Sequence, residues 1–154
     1  MDLERAWLTR ADLTEARLHG AQCSHAKFHE ATLVSAEFKA AKAKRADLSQ
    51  AEFFRARMQG AHFEGADMTG ASFAEANISD AYFLTATLDE DALWSLLETA
   101  TVKGVPTWRK AHFDEAVTSR LERMTKQRRP RRQRRVDSPS FHAEEALESG
   151  GQSD

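Results

Sequence analysis

Residues 46–80 read ADLSQ AEFFR ARMQG AHFEG ADMTG ASFAE ANISD, seven blocks of five that each open on alanine and place an apolar residue third. Followed outward in both directions, the period holds from Ala6 to Leu88. Alanine falls at every fifth position from Ala6 through Ala86, 17 times in succession, and two residues later comes Leu8, Leu13, Leu18, Cys23, Phe28 and so on to Phe83 and Leu88. None of these third positions is charged. Leu3 is placed to begin a partial block ahead of Ala6.

Composition alone points the wrong way. Alanine, leucine, glutamate and lysine favour helix, but five residues advance a helix by about 140° net, so the apolar pairs would spiral round it without forming a stripe. A flat strand fails as well: five is odd, and alternate blocks would face opposite sides. A chain that bends through the same angle every five residues keeps both apolar positions facing one axis. A square coil of four blocks, 20 residues per turn, meets that condition.

The A-(D/N)-L-x-x pattern over residues 6–88 resembles the pentapeptide-repeat family. The resemblance implies an all-β solenoid, a right-handed quadrilateral β-helix of about four coils and roughly 20 Å tall at ~4.8 Å per coil. It also implies that block positions one and three point inward and the other three outward. The inward ladders are then Leu8–Phe28–Leu48–Met68–Leu88, Leu13–Leu33–Phe53–Phe73, Leu18–Phe38–Met58–Ile78 and Cys23–Ala43–Phe63–Phe83. Ala43 is undersized and is expected to leave a gap or a tightened coil beside Cys23 and Phe63. Cys23 reads as a small buried hydrophobe.

Among the outward ladders, Thr14–Val34–Phe54–Ala74 is apolar where polar residues are expected, and Val34, Phe54 and Ala74 form the candidate partner surface. Single apolar residues are also common on surfaces of no special purpose. Tyr82 and Leu84, outward in the last coil, are expected to lie beneath the C-terminal segment. Lys42, Lys44 and Arg45, with Lys39 before the corner, make either a small basic patch or an ordinary solvated face. Gly20, Gly60, Gly65 and Gly70 all stand fifth in their blocks, where the corner turns.

After the repeat domain (1–88) phase is lost. Residues 89–100, DEDALWSLLETA, read as a short helix capping the open end, which a repeat stack requires. Lys103–Pro106 is a break. Thr107 is expected to N-cap a second helix running to about Gln127, with Phe113, Val117, Leu121 and Met124 on one stripe. That stripe covers the solenoid, the first helix or a second protomer; the family resemblance makes a homodimer plausible. Residues 128–154 read as a disordered tail. It opens with RRPRRQRR, whose Arg128, Arg129, Arg131, Arg132, Arg134 and Arg135 suit polyanion or nucleic-acid binding, or simple solubilisation.

Charge divides the chain: residues 1–90 carry 10 Lys/Arg against 14 Asp/Glu, and residues 91–154 carry 12 against 10. The single cysteine excludes an internal disulfide framework and suits a reducing compartment. With no apolar leader at the N-terminus and no apolar run of ~20 residues, the expectation is a cytoplasmic protein without membrane insertion. No phosphate loop, nucleophile motif or metal-ligand spacing stands out, and His25 and His29 fall on different faces. No catalysis, cofactor or metal is therefore expected. The leading reading is a scaffold that binds a protein partner. One alternative comes from the resemblance: some members imitate duplex DNA and bind type II topoisomerases such as gyrase, giving quinolone protection or inhibition. This solenoid is short for that role, and its basic residues interrupt any acidic face. The other alternative is polyanion binding by the arginine tail.

Overall fold

The computed structural model describes residues 1–127. Residues 128–154, including the six candidate arginines of the tail, lie outside the described residues. Parallel bridges join residues 20 apart throughout the repeat, from Asp2↔Gln22 and Trp7↔Lys27 to Asp67↔Thr87. The bridging residue is always the second of its block, between the inward alanine and the inward large side chain. Each block therefore contributes one bridge per face, too short a pairing to count as an extended strand.

Three hydrogen bonds per block hold the coils together. Lys27 shows the pattern: its N–H donates to the Ala6 carbonyl and its own carbonyl accepts from Leu8, at 2.8 and 2.7 Å. The fifth residue adds the third bond, as Arg10 N–H donates to His29 O. Corners are closed by a β-turn in which each alanine N–H returns to the carbonyl three residues earlier, for example Ala51 to Leu48 at 3.1 Å. The fifth residue takes positive φ at every corner, whether glycine (Gly60, 64°) or not (Arg55, 58°; Ala40, 52°). The type II turn demands that sign at its third position. Glycine eases the corner at four places, but the stack imposes the conformation on other residues as well.

One backbone N–H per block, that of the fourth residue, is left out of this scheme. Where the second residue is Asp or Asn, its side chain accepts that N–H: Asp12 to Thr14 and Asp67 to Thr69, both at 3.0 Å, and Asn77 to Ser79 at 3.2 Å. This is the physical reason for Asp and Asn in the A-(D/N)-L pattern.

The interior is apolar and ordered into ladders. From Ala21 to Phe83 every first and third position is buried. Phenylalanines stack along the axis, Phe53 on Phe73 and Phe63 on Phe83, with centroids 5.5 and 5.2 Å apart. At the undersized Ala43, the ring of Phe38 from the neighbouring ladder lies parallel to Phe63 at 5.8 Å. Ala43 itself is fully buried. Cys23 is also buried, which pushes its thiol up to about 11.

The segment after the repeat is more varied than two helices. Helix α1 spans Glu90–Leu96, β1 (Thr101–Val102) and β2 (Val105–Pro106) form a minimal hairpin, a 3₁₀ turn covers Thr107–Lys110, and α2 spans Glu115–Met124. The expected N-cap role of Thr107 is not what the chain uses. Thr107 is fully buried, and its hydroxyl donates to Ala76 O and accepts from Ile78 N–H. Phe113 precedes α2 and does not sit on it. Among the described residues no helix is long and apolar enough to cross a membrane.

This segment closes the last coil group by group. On that coil's upper edge Gly70 N–H meets Asp89 Oδ1, Phe73 meets Ser95 Oγ, Glu75 meets Glu98 O, and Asp80 meets Lys110 O. Phe83 N–H meets His112 O and Thr85 N–H meets Asp114 Oδ2. The same Asp89 oxygen also accepts Ala92 N–H, so one carboxylate caps both α1 and the solenoid. In the first coil Leu3, Leu8 and Leu13 are only partly buried.

Candidate interaction surface

Positions one and three of each block are consumed by the core, which leaves positions two, four and five facing outward. Several of these outward ladders carry paired charge. Arg55 Nε donates to Glu75 at 2.7 Å, Lys44 lies 3.2 Å from Glu64, Arg57 lies 3.4 Å from Glu37, and Arg10 pairs with Glu30. The basic cluster is accordingly part-neutralised: Lys44 is held by Glu64, and the Arg45 stem packs beside Gly65. Burial on its own would raise the Glu64 carboxyl, but hydrogen bonds from His62 and Lys44 hold it below its ordinary value. Ser24, His25, Lys44, Arg45 and Thr85 line a shallow groove of about 410 Å³ around these groups.

The apolar ladder is shorter than the sequence implies. Val34 and Phe54 are half-buried, Thr14 is exposed, and Ala74 is only 6% exposed. Ala74 is therefore unavailable to a partner. The chain around it is taken up by the cap, since the next residue, Glu75, bonds to Glu98 O. Phe54 does not stand free either: the Arg55 guanidinium lies over its ring, 4.8 Å from the centroid. The surface that remains is Val34 and Phe54, with Arg55 and Glu75 alongside.

The capping stripe is divided. Leu121 is fully buried and Met124 nearly so, Val117 packs partly against the core, and Phe113 stacks on Phe83 at 4.9 Å. These side chains are turned onto this chain's own core. Tyr82 is half-buried between His62 and His112, stacked at 4.7 and 4.4 Å. Leu84 departs from expectation: it is 40% exposed, while the next residue, Thr85, gives its N–H to Asp114 Oδ2.

Sequence reasoning missed the polar aromatic stack His62–Tyr82–His112. Its signal was present. Residues 111–115, AHFDE, repeat the form of AHFEG at 61–65, and Ala111 is in phase with Ala86. A further groove of about 310 Å³ lies between Trp94, Leu97, Trp108 and the end of α2 at Met124. Among the described residues no group of His, Cys, Asp and Glu is placed to hold a metal ion.

The sequence profile of pentapeptide repeats, in 8 copies, matches residues 2–33, 33–70 and 51–89. The chain belongs to the pentapeptide-repeat family. With that membership comes the right-handed β-helix solenoid. The fold is similar to that of a solved pentapeptide-repeat protein from the thylakoid lumen of Arabidopsis thaliana, at 28% identity and TM-score 0.52, covering 71% of this chain and 82% of that one. HetL of the cyanobacterium Nostoc, described as involved in heterocyst differentiation regulation, aligns at 27% identity and TM-score 0.31, over 56% of this chain and 38% of its own. QnrB1, a plasmid-mediated fluoroquinolone resistance protein, aligns at 12% identity and TM-score 0.33, over 80% and 72%. No curated protein sequence matches the chain.

Proposed function

We propose that this pentapeptide-repeat protein is a non-enzymatic scaffold, a rigid rod of about four 20-residue coils that binds a protein partner through Val34 and Phe54. The observation that carries the reading is the placement of these two half-buried apolar side chains, stacked 20 residues apart on an outward ladder beside the Arg55–Glu75 ion pair. An apolar centre with a charged rim is the anatomy of a protein contact. The rigidity of the backbone, fixed three hydrogen bonds per block, means that little entropy is lost when the surface is covered.

The ion pairing across coils weighs against the DNA-imitating alternative. Arginine and lysine are interleaved with the carboxylates, so among the described residues no continuous acidic face presents itself to a channel built for DNA.

The test is capture of a partner by the full chain, by Phe54→Glu and by the half-buried control Glu52→Gln on the adjoining ladder. A partner retained by wild type and control, with affinity down at least tenfold for Phe54→Glu, supports the reading, since a charge at the centre of a contact costs about 2 kcal/mol or more. A partner held equally by all three variants overturns it. Capture of a topoisomerase, or of nucleic acid lost on removal of residues 128–154, would replace it with one of the alternatives.

A further inference from the structure

The Arg55 guanidinium lies over the Phe54 ring, 4.8 Å from its centroid, and Arg55 Nε donates to Glu75 Oε2 at 2.7 Å. The backbone fixes both members of this ion pair. Arg55 N–H donates to Ala74 O at 3.1 Å, and Glu75 N–H donates to Glu98 O at 2.9 Å, so the pair is anchored to the last coil and to the cap. A segment that covers this face of Phe54 also covers the guanidinium. Resting on the reading of Val34 and Phe54 as a protein contact, we propose that Arg55 is the specificity-determining residue of that contact. The partner segment it selects carries a carboxylate beside an apolar side chain.

The partner's chemistry follows from what covering Arg55 requires. A guanidinium keeps its charge when taken out of water, and a covered charge without acceptors is costly. Glu75 serves the donor on Nε. The N–H groups of the two Nη atoms then need acceptors from the covering segment. A carboxylate meets two of them in parallel, the strongest arrangement open to arginine. A purely apolar segment offers none, and a lysine or arginine adds like charge. Glu75 does not already fill this role. Arg55 and Glu75 are 62% and 54% exposed, and an ion pair so open to water contributes little. Glu75 orients the guanidinium across the ring and leaves it able to take a second acid.

The test follows the Val34 methyl and Phe54 ring signals of the full chain by NMR during titration with three capped dipeptides. These are the amides of N-acetyl-aspartyl-phenylalanine, N-acetyl-asparaginyl-phenylalanine and N-acetyl-lysyl-phenylalanine. All carry the same ring, so differences between them isolate charge. The aspartyl probe should bind about threefold or more tightly than the asparaginyl probe, with the lysyl probe weakest. Arg55→Gln should erase the difference. Glutamine suits that corner, since Gln50 holds the equivalent fifth position with φ 59°. Arg55→Lys keeps the charge without the fork and should retain only part of the preference. Melting curves show that each variant folds.

Silence at Val34 and Phe54 toward all three probes up to about 20 mM overturns the contact reading, and this inference with it. A response at both residues with equal affinity for the aspartyl and asparaginyl probes overturns the inference alone and leaves the contact standing. So does an acid preference that survives Arg55→Gln. Signals that shift with protein concentration, or on removal of residues 128–154, assign the surface to a second copy or to the chain's own end and overturn the separate partner.

Discussion

His112 pairs with Tyr82 in the same parallel bridge that joins every coil to the next, 30 residues on in place of 20, and their rings stack at 4.4 Å. The chain leaves the solenoid at Leu88, makes α1 and the hairpin, and returns with one more repeat-like block, Ala111-His112-Phe113, laid on the last coil. The cap is thus closed by the same hydrogen bonds that build the repeat, His112 N–H to Ala81 O and Phe83 N–H to His112 O, both 2.8 Å.

Phe113 is the keystone of that returning block. Truncating it to alanine removes the stack on Phe83 and opens the end of one inward ladder. As Phe113 is only partly buried, the expected loss is about 2 kcal/mol, below the range for a full core phenylalanine, and a melting point lower by several degrees. Phe113→Leu should recover most of it. A melting curve for Phe113→Ala that overlays wild type would show that the cap contributes nothing to the solenoid.

Thr107 tests the cap's polar side. Its hydroxyl is fully buried and serves two backbone groups of the solenoid edge, the Ala76 carbonyl and the Ile78 N–H. Thr107→Val keeps the shape and strands both groups, which costs about 1–3 kcal/mol. Hydrogen exchange should report the damage locally, with Ile78 losing protection while Phe53 and Phe63 keep theirs.

How far this architecture was legible in the sequence follows from where the period holds. Seventeen in-phase alanines fix the inward register, and Cys23, Leu48 and Phe63 lie where that register puts them, buried at 0–1%. A strict period forces this, because no other backbone keeps all those side chains on one axis. The cap was harder to read. Thr107 has the composition of an N-cap, but the unpaired edge at Ala76 and Ile78 competes for its hydroxyl and wins. Phe113 matches a helical stripe by spacing, yet it belongs to AHFDE, a displaced copy of the repeat. Ala74 looks outward and apolar from its ladder, and only the path of the chain near Glu98 covers it. Local spacing carries no information on such returns of distant chain.

Cys23 supplies a probe of the core that needs no mutation. Its thiol is buried and pushed up to about 11 by loss of solvation, so at pH 8 almost none is thiolate and none is in reach of a reagent. Alkylation of the native chain at pH 8 should be slower than that of the unfolded chain by at least about a hundredfold, tracking the fraction of chain that opens. Rapid labelling under native conditions would mean that the first two coils open independently of the rest.

Acid should act through the ion pairs between coils. Glu30 and Glu64 are held below the ordinary carboxylate value, Glu30 by its hydrogen bond from Arg10, and Glu64 by bonds from His62 and Lys44 that outweigh its burial. A carboxylate with a depressed folded-state value adds stability that is present above its unfolded value and lost as pH falls through the folded one. Stability should therefore hold from neutral pH down to about 5 and decline across the carboxylate range near pH 4 and below. Glu64→Gln should melt below wild type at pH 7, and the two curves should converge as pH falls through the lowered folded-state value of Glu64, where the wild-type carboxylate is itself protonated. A gap between wild type and Glu64→Gln that stays constant across that range would assign the difference to packing at the Lys44 and His62 contacts and not to the charge on Glu64.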